Sequence, residues 1–338
     1  MGSICKVERK DLSYAIEKID YWYKKGLKYL TIITVPFNTS HIFLEIIQEL
    51  VDAKEQILYV WGIEGENKEL ITALKDFNLD INHSYTKNGK SDSDIVFVNY
   101  KNLINIKSKY KLIIFDDVTY FSDITSEELR IYIEMCSSIA ERIIIYSIEK
   151  IDLIGEKIEL AAYNYNQPFL EPRILTTRID LNKDIPYSLY DYLTWFRDEK
   201  HNVAIYVPDK ESINHVFSYF NNKLKLENVK IIKASTKNDI KKYEDVLKYN
   251  NKSIFIVTHK IKELLRCYAI EDSIVLFADD YRYTYKKLIY ICGYLRKINQ
   301  GSSEILLVSN NISDDIEKAR SMARDFNKKV WDKNLKKL

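Results

Sequence analysis

Two stretches of the chain combine residue types at a spacing that could do chemistry. In "KLIIFDDVTYF" (111–121) Asp116 and Asp117 stand side by side at the end of an apolar run. One carboxylate so placed can hold Mg²⁺, often through water, while its neighbour polarises an attacking water. The same pair also suits a turn or a helix cap. The second stretch, "TVPFNTSHIF" (34–43), leaves one apolar run and enters another, where an α/β protein often sets its phosphate loop. It has no glycine and no lysine. Loops that wrap phosphates need positive φ and close backbone approach, which glycine gives most cheaply. The chain holds eight glycines, with none between Gly26 and Gly62 and none between Gly155 and Gly293. A plain connector, with Asn38 or Thr39 capping the next helix, fits the stretch equally well.

The elements that must position these residues are short β-branched runs. "YLTIITV" (29–35), "QILYVW" (56–61), "DIVFV" (94–98), "KLIIF" (111–115) and "RIIIYS" (142–147) form a first set. "VAIYV" (203–207), "KIIKA" (230–234), "SIFIVT" (253–258), "SIVLF" (273–277) and "EILLV" (304–308) form a second. Runs that are nearly continuous in apolar residues suit strands buried on both faces of a parallel sheet. Amphipathic stretches such as "SHIFLEIIQELVDA" and "KESINHVFSYFNNKL" lie between them, as crossover helices do. The pattern predicts an α/β chain of two tandem parallel-sheet domains, 1–168 and 169–338, joined where Pro168 and Pro172 interrupt any helix. Such folds bind ligands at the carboxyl ends of their strands.

Composition excludes several classes. Four isolated cysteines, Cys5, Cys136, Cys267 and Cys292, and five scattered histidines give no metal-ligand spacing, so no zinc is expected. No apolar run approaches the roughly 18 to 20 uncharged residues of a spanning helix, and the N-terminus lacks a signal-like apolar region. The expectation is a cytoplasmic chain without membrane insertion. With 51 basic and 49 acidic residues, the formal charge of +2 does not by itself announce nucleic acid. The segment Arg324–Lys337 is locally basic, and "DDYRYTYKKLIY" sets Arg282, Lys286 and Lys287 among tyrosines that could stack bases. Core packing with the hydroxyl at the rim is the commoner use of such tyrosines.

In order and spacing these landmarks resemble the tandem RecA-like core of superfamily-2 helicases, above all the competence protein ComFA family, with some similarity to PriA. "TVPFNTSHI" stands at motif I, "FDDVTYF" at motif II, "IIIYSIE" at motif III, "SIFIVTHKIKEL" at motif V and "KKLIYICGYLRK" at motif VI. "VAIYVPDKESINHVFSYF" opens the second domain, and "GSSEILLVSNNISDDIEKARSMARDFN" is similar to the ComFA end. The resemblance implies two RecA-like domains of the P-loop NTPase type, ATP and Mg²⁺ as cofactors of an active member, and a nucleic-acid partner, single-stranded DNA before RNA. It also implies a nucleotide site at Pro36, Phe37, Asn38, Thr39, Ser40, His41, Ile42, Gly293, Tyr294, Arg296 and Lys297. Asp116 and Asp117 would be catalytic, with Asp116 on Mg²⁺, and Ser147 and Thr258 would touch nucleic acid.

Departures from the family pattern fall on the chemistry itself. Motif I of the family reads approximately A-P-T-G-S-G-K-T. Pro36 is kept, but Asn38 and Ser40 replace the glycines, His41 the lysine, and Ile42 the threonine that binds Mg²⁺. Isoleucine offers the metal no oxygen, and imidazole is shorter than the lysine arm. Motif II keeps its aspartate in Asp116 and places Asp117 where the family has glutamate. Motif VI keeps Gly293, while Tyr294 and Lys297 replace the two arginines and Arg296 lies one position off. Lysine lacks the bidentate fork of an arginine finger. The paired-cysteine zinc element of the ComFA family is missing. The expectation is a helicase-like scaffold that binds single-stranded nucleic acid, or a protein partner, with ATP turnover impaired or lost. The alternatives are an active DNA-dependent ATPase of DNA uptake with an unorthodox phosphate loop and, more distantly, a two-domain nucleotide-sugar transferase.

Overall fold

The apolar runs form parallel strands whose central members are closed to solvent on both faces. The computed structural model describes residues 9–77, 81–160, 169–224, 226–249, 252–265, 269–298 and 303–335. The chain divides into two units, Met1–Asn166 and Gln167–Leu338. Most of the expected joint, 161–168, lies outside the described residues.

The first unit runs α1 (Arg9–Lys24), β1 (Tyr29–Ile33), a single 3-10 turn (His41–Phe43), α2 (Leu44–Asp52), β2 (Ile57–Trp61), α3 (Lys68–Asp76), β3 (His83–Tyr85), β4 (Ile95–Asn99), β5 (Tyr110–Asp116), α4 (Ser126–Ile139), β6 (Ala140–Ser147) and β7 (Glu156–Glu159). Its seven strands lie in the order β3-β4-β2-β5-β6-β1-β7, with parallel pairing throughout. β2 and β4 are buried at every position. α4 starts sharply because Thr125 and Glu128 form a reciprocal capping box.

The second unit runs β8 (Arg173–Thr176), α5 (Tyr187–Asp198), β9 (Val203–Tyr206), α6 (Lys210–Ser218), β10 (Val229–Ala234), α7 (Lys237–Tyr249), β11 (Ser253–Thr258), α8 (Ile261–Leu264), β12 (Asp272–Leu276), α9 (Tyr285–Ile298), β13 (Ile305–Ser309) and α10 (Asp314–Leu335). Its six strands, also all parallel, lie in the order β10-β11-β9-β12-β13-β8. Both sheets are flanked by helices, which gives the α/β architecture of two tandem RecA-like domains.

All ten expected strands are present. The sequence pattern misses β3, β7 and β8, and the reason is physical. Each lies at a sheet edge, and only Ile158 among their residues is buried. An edge strand need not carry an apolar run, although β10, also at an edge, keeps one in "KIIKA".

Candidate functional site

In the first sheet β5, β6 and β1 are neighbours, so their carboxyl ends bring 116–121, 147–149 and 34–43 together. The three segments are stitched to one another through the backbone. Thr34 N donates to Ser147 O at 3.0 Å, Phe37 N to Val118 O at 2.9 Å, and Asp117 N to Tyr146 O at 2.8 Å. Tyr146 OH donates to Thr39 O at 3.0 Å.

The 34–43 stretch turns inward on itself. Thr34 Oγ1 donates to Leu160 O at 3.0 Å and accepts from Asn38 Nδ2 at 2.7 Å. Asn38 Oδ1 accepts from Thr39 N at 3.0 Å, and Thr39 Oγ1 accepts from His41 N at 3.1 Å. Thr39 thus fixes the amide at the head of the 3-10 turn instead of capping an α-helix. Asn38, Thr39 and Ser40 are at most 1% exposed, and Ser40 Oγ is buried without a partner. Phe37 takes the left-handed conformation, φ 58°, with its ring buried. For a non-glycine residue this costs roughly 1–2 kcal/mol. Pro36 and Ile42 are buried as well. The segment after the loop opens as a 3-10 turn, with Phe43 N bonded to Ser40 O at 3.1 Å and the Phe43 ring edge-on to Tyr146 at 5.3 Å.

Asp116 and Asp117 are both closed to solvent. Asp116 accepts from Tyr59 OH at 2.6 Å, from Val118 N at 2.9 Å, from Thr119 N at 3.0 Å, and from Thr119 Oγ1. Burial raises the pKa of its carboxyl, and the donors on Thr119, Tyr59 and Val118 oppose that shift. Burial, followed by the Asp116 charge, raises the Tyr59 hydroxyl well above its ordinary value. Asn67 Nδ2 in turn donates to Tyr59 OH at 3.3 Å, while Asn67 Oδ1 caps α3 by accepting from Leu70 N at 3.1 Å. Asp117 accepts from Ser122 Oγ. Tyr59, Asn67, Thr119 and Ser122 are the members of this site that sequence reasoning missed. A tyrosine in the midst of the buried run "QILYVW" was the one available signal, since its hydroxyl must find a partner.

A nucleotide with Mg²⁺ does not fit these residues as arranged. Amides of Thr34, Phe37, Thr39 and His41 are bonded within the protein, Ile42 presents no oxygen, and the Asp116 carboxylate already accepts four hydrogen bonds. Among the described residues no group of three or more His, Cys, Asp or Glu is placed to hold a metal.

Of the remaining expected residues, Ser147 and Thr258 are committed to bonds within the protein. Ser147 Oγ accepts from Glu149 N at 3.1 Å. In the second unit the Thr258 hydroxyl donates to Ala234 O at 2.7 Å and accepts from Lys260 N at 3.0 Å, and the residue is closed to solvent. Gly293 and Tyr294 are buried within α9. Arg296 and Lys297 fall near the end of the same helix, with side chains outside the described residues. The carboxyl ends of β9 and β12 are adjacent, and the chain leaves them in opposite directions, the switch point where such sheets bind ligands. Here Arg282 fills the position. Its Nε and Nη2 grip Asp280 at 2.7 Å and its Nη1 reaches Asp209 at 2.5 Å. Lys287 Nζ donates to Arg282 O at 2.9 Å, and Lys286 is buried.

No family model matches the sequence, and no curated protein matches it by sequence. Solved structures do match in fold. S. tokodaii Xpd4 aligns with a TM-score of 0.57 at 11% identity, over 90% of this chain and 96% of that one. The E. coli DExH-box NTPase HrpB aligns at 0.53 and 12% identity, over 94% of this chain and 42% of HrpB. Mycobacterium smegmatis helicase Lhr, solved with ssDNA and AMP-PNP, aligns at 0.51 and 10% identity, over 95% of this chain and 50% of Lhr. The chain thus spans half or less of the length of the last two. At such identities the likeness shows the fold alone, two tandem RecA-like domains.

Proposed function

We propose that this chain is a helicase-like nucleic-acid-binding protein in which ATP turnover is impaired or lost and single-stranded DNA is the favoured partner. The observation that carries the reading is the sealed 34–43 stretch. A working phosphate loop keeps its amides turned toward the ligand, at the N-terminus of the helix that follows. Here four of them point into the protein, the helix opens as a 3-10 turn, and Phe37 occupies a conformation that suits glycine. Loss of the lysine, the threonine and the finger arginines from the sequence agrees with that arrangement.

The fold supports the nucleic-acid half of the proposal, since Lhr of similar fold was solved with single-stranded DNA. The motif order supports the finer likeness to the ComFA family, and with it a cytoplasmic role in DNA uptake. No helix among the described residues is long and apolar enough to cross a membrane.

The test is the affinity for a labelled dT oligonucleotide, measured by fluorescence anisotropy across a salt series with and without ATP and Mg²⁺. The expected result is binding at low salt that weakens as salt rises and ignores nucleotide. Absence of binding at low salt would remove the nucleic-acid reading. Affinity that follows nucleotide would remove the sealed-loop reading.

A further inference from the structure

α1 presents two faces with different chemistry. Leu12, Ala15, Ile19 and Trp22 are at most 5% exposed and enter the core. Tyr14, Lys18, Tyr21 and Lys25 follow the spacing i, i+4, i+7, i+11, which at 100° per residue keeps them within about 60° of one another, well away from the core face. Lys25 lies just past the helix end, yet its amide still bonds Tyr21 O at 3.0 Å, so it continues the stripe. The tyrosine rings are 52% and 48% exposed. Each carries an ammonium group over one face of its ring, which leaves the other face for a base, Lys18 Nζ at 5.8 Å from the Tyr14 centroid and Lys25 Nζ at 4.2 Å from that of Tyr21.

We infer that this face of α1 is a stacking platform for single-stranded nucleic acid, in which Tyr14 and Tyr21 receive bases while Lys18 and Lys25 meet the phosphates. The inference rests on the nucleic-acid reading above and gives it a location outside every helicase-motif segment of the chain. Charge supports this occupant. From residue 12 to residue 28 the chain carries Lys18, Lys24, Lys25 and Lys28 against Glu17 and Asp20. Asp20 is taken by Lys24 at 2.8 Å, and Glu17 on the helix and Glu156 near Lys25 are the other carboxylates facing this stretch. Every base has a π-face, so two exposed rings with flanking ammonium groups bind single strands whatever their sequence. The rings stand about 10.5 Å apart along the helix axis, so they engage separate bases of one strand.

Anisotropy with labelled dT oligonucleotide tests the platform. Tyr14→Ala and Tyr21→Ala should each weaken binding roughly tenfold or more, with Tyr→Phe restoring it because the ring and not the hydroxyl stacks. Lys18→Gln and Lys25→Gln should each lower the salt slope by about 0.7. All four side chains lie on the outer face of the helix, and unchanged urea midpoints in the variants will show that the fold is kept. If wild-type protein binds and the alanine variants bind equally well, the platform is wrong while the function stands, and the face is left to a protein partner. Phe variants as weak as the Ala variants would also sink it. Wild-type protein that fails to bind at low salt would overturn both.

Discussion

Asp116 sits where a metal ligand was expected, yet its carboxylate is spent on the protein. Four donors converge on it, two of them the amides of the turn that it closes. Both readings of the pair, metal site and turn former, were open in the sequence. The four donors are those a turn former would gather. Tyr59→Phe removes one donor and leaves Asn67 Nδ2 without its acceptor, so it should cost about 1–3 kcal/mol in urea denaturation. A variant as stable as the wild type would mean that the Tyr59 bond does not hold the site. Asp116→Asn should destabilise by a similar amount whether or not Mg²⁺ is present. A loss seen with Mg²⁺ alone would identify a metal ligand instead. The carboxylates were legible from their position after an apolar run; Tyr59 lies 57 residues away and could not be read from local pattern, while Thr119 and Ser122, three and five residues on, reach them only through a turn geometry that residue types do not specify.

The central strands were legible because strands buried on both faces must be apolar throughout, and the edge strands β3, β7 and β8 were not because an edge strand need not be. β7 illustrates a constraint invisible to hydropathy. Gly155 precedes it, and a Cβ there would lie 2.5 Å from the carbonyl oxygen of Tyr29. Backbone cannot swing aside, so Gly155→Ala should weaken the pairing of β7 with β1 and cost roughly 1–3 kcal/mol. Thermal denaturation of the variant will show whether the midpoint falls; an unchanged midpoint would mean that the two segments are not packed as described. In the second unit the clamp on Arg282 joins the loops after β9 and β12. The Ser212 amide above all, with Ser212 Oγ and Arg282, holds the Asp209 carboxyl down to about 2. Asp280 is also held low, chiefly by Arg282. A folded-state pKa below the ordinary 3.8 contributes stability that is present above that value and lost as the pH falls through about 2. The gain is modest because these groups are partly in water. Asp209→Asn keeps an N-cap residue, so its urea midpoint should lie below the wild type near neutral pH and converge with it in acid. Parallel curves would show that the clamp contributes nothing pH-dependent.

For the molecule as a whole, the two-domain α/β architecture was more legible than the chemistry of its loops. The apolar runs were read from the sequence, and the strand order observed in the structure places the 34–43, 116–121 and 147–149 segments at adjacent strand ends. The inward turn of the loop is held by Asn38 and Thr39, whose side chains bond within it, and by the left-handed conformation of Phe37. Two RecA-like domains can keep their architecture while this loop closes, because the sheets are held by apolar strands that the loop does not enter. The central claim is that closure abolishes catalysis. It is tested most directly by steady-state phosphate release from ATP and Mg²⁺, with and without single-stranded DNA, comparing wild-type protein with Asp117→Asn. The account predicts no release above the variant in either condition. DNA-stimulated release that disappears in the variant would show a working motor with a rebuilt phosphate loop and would contradict it.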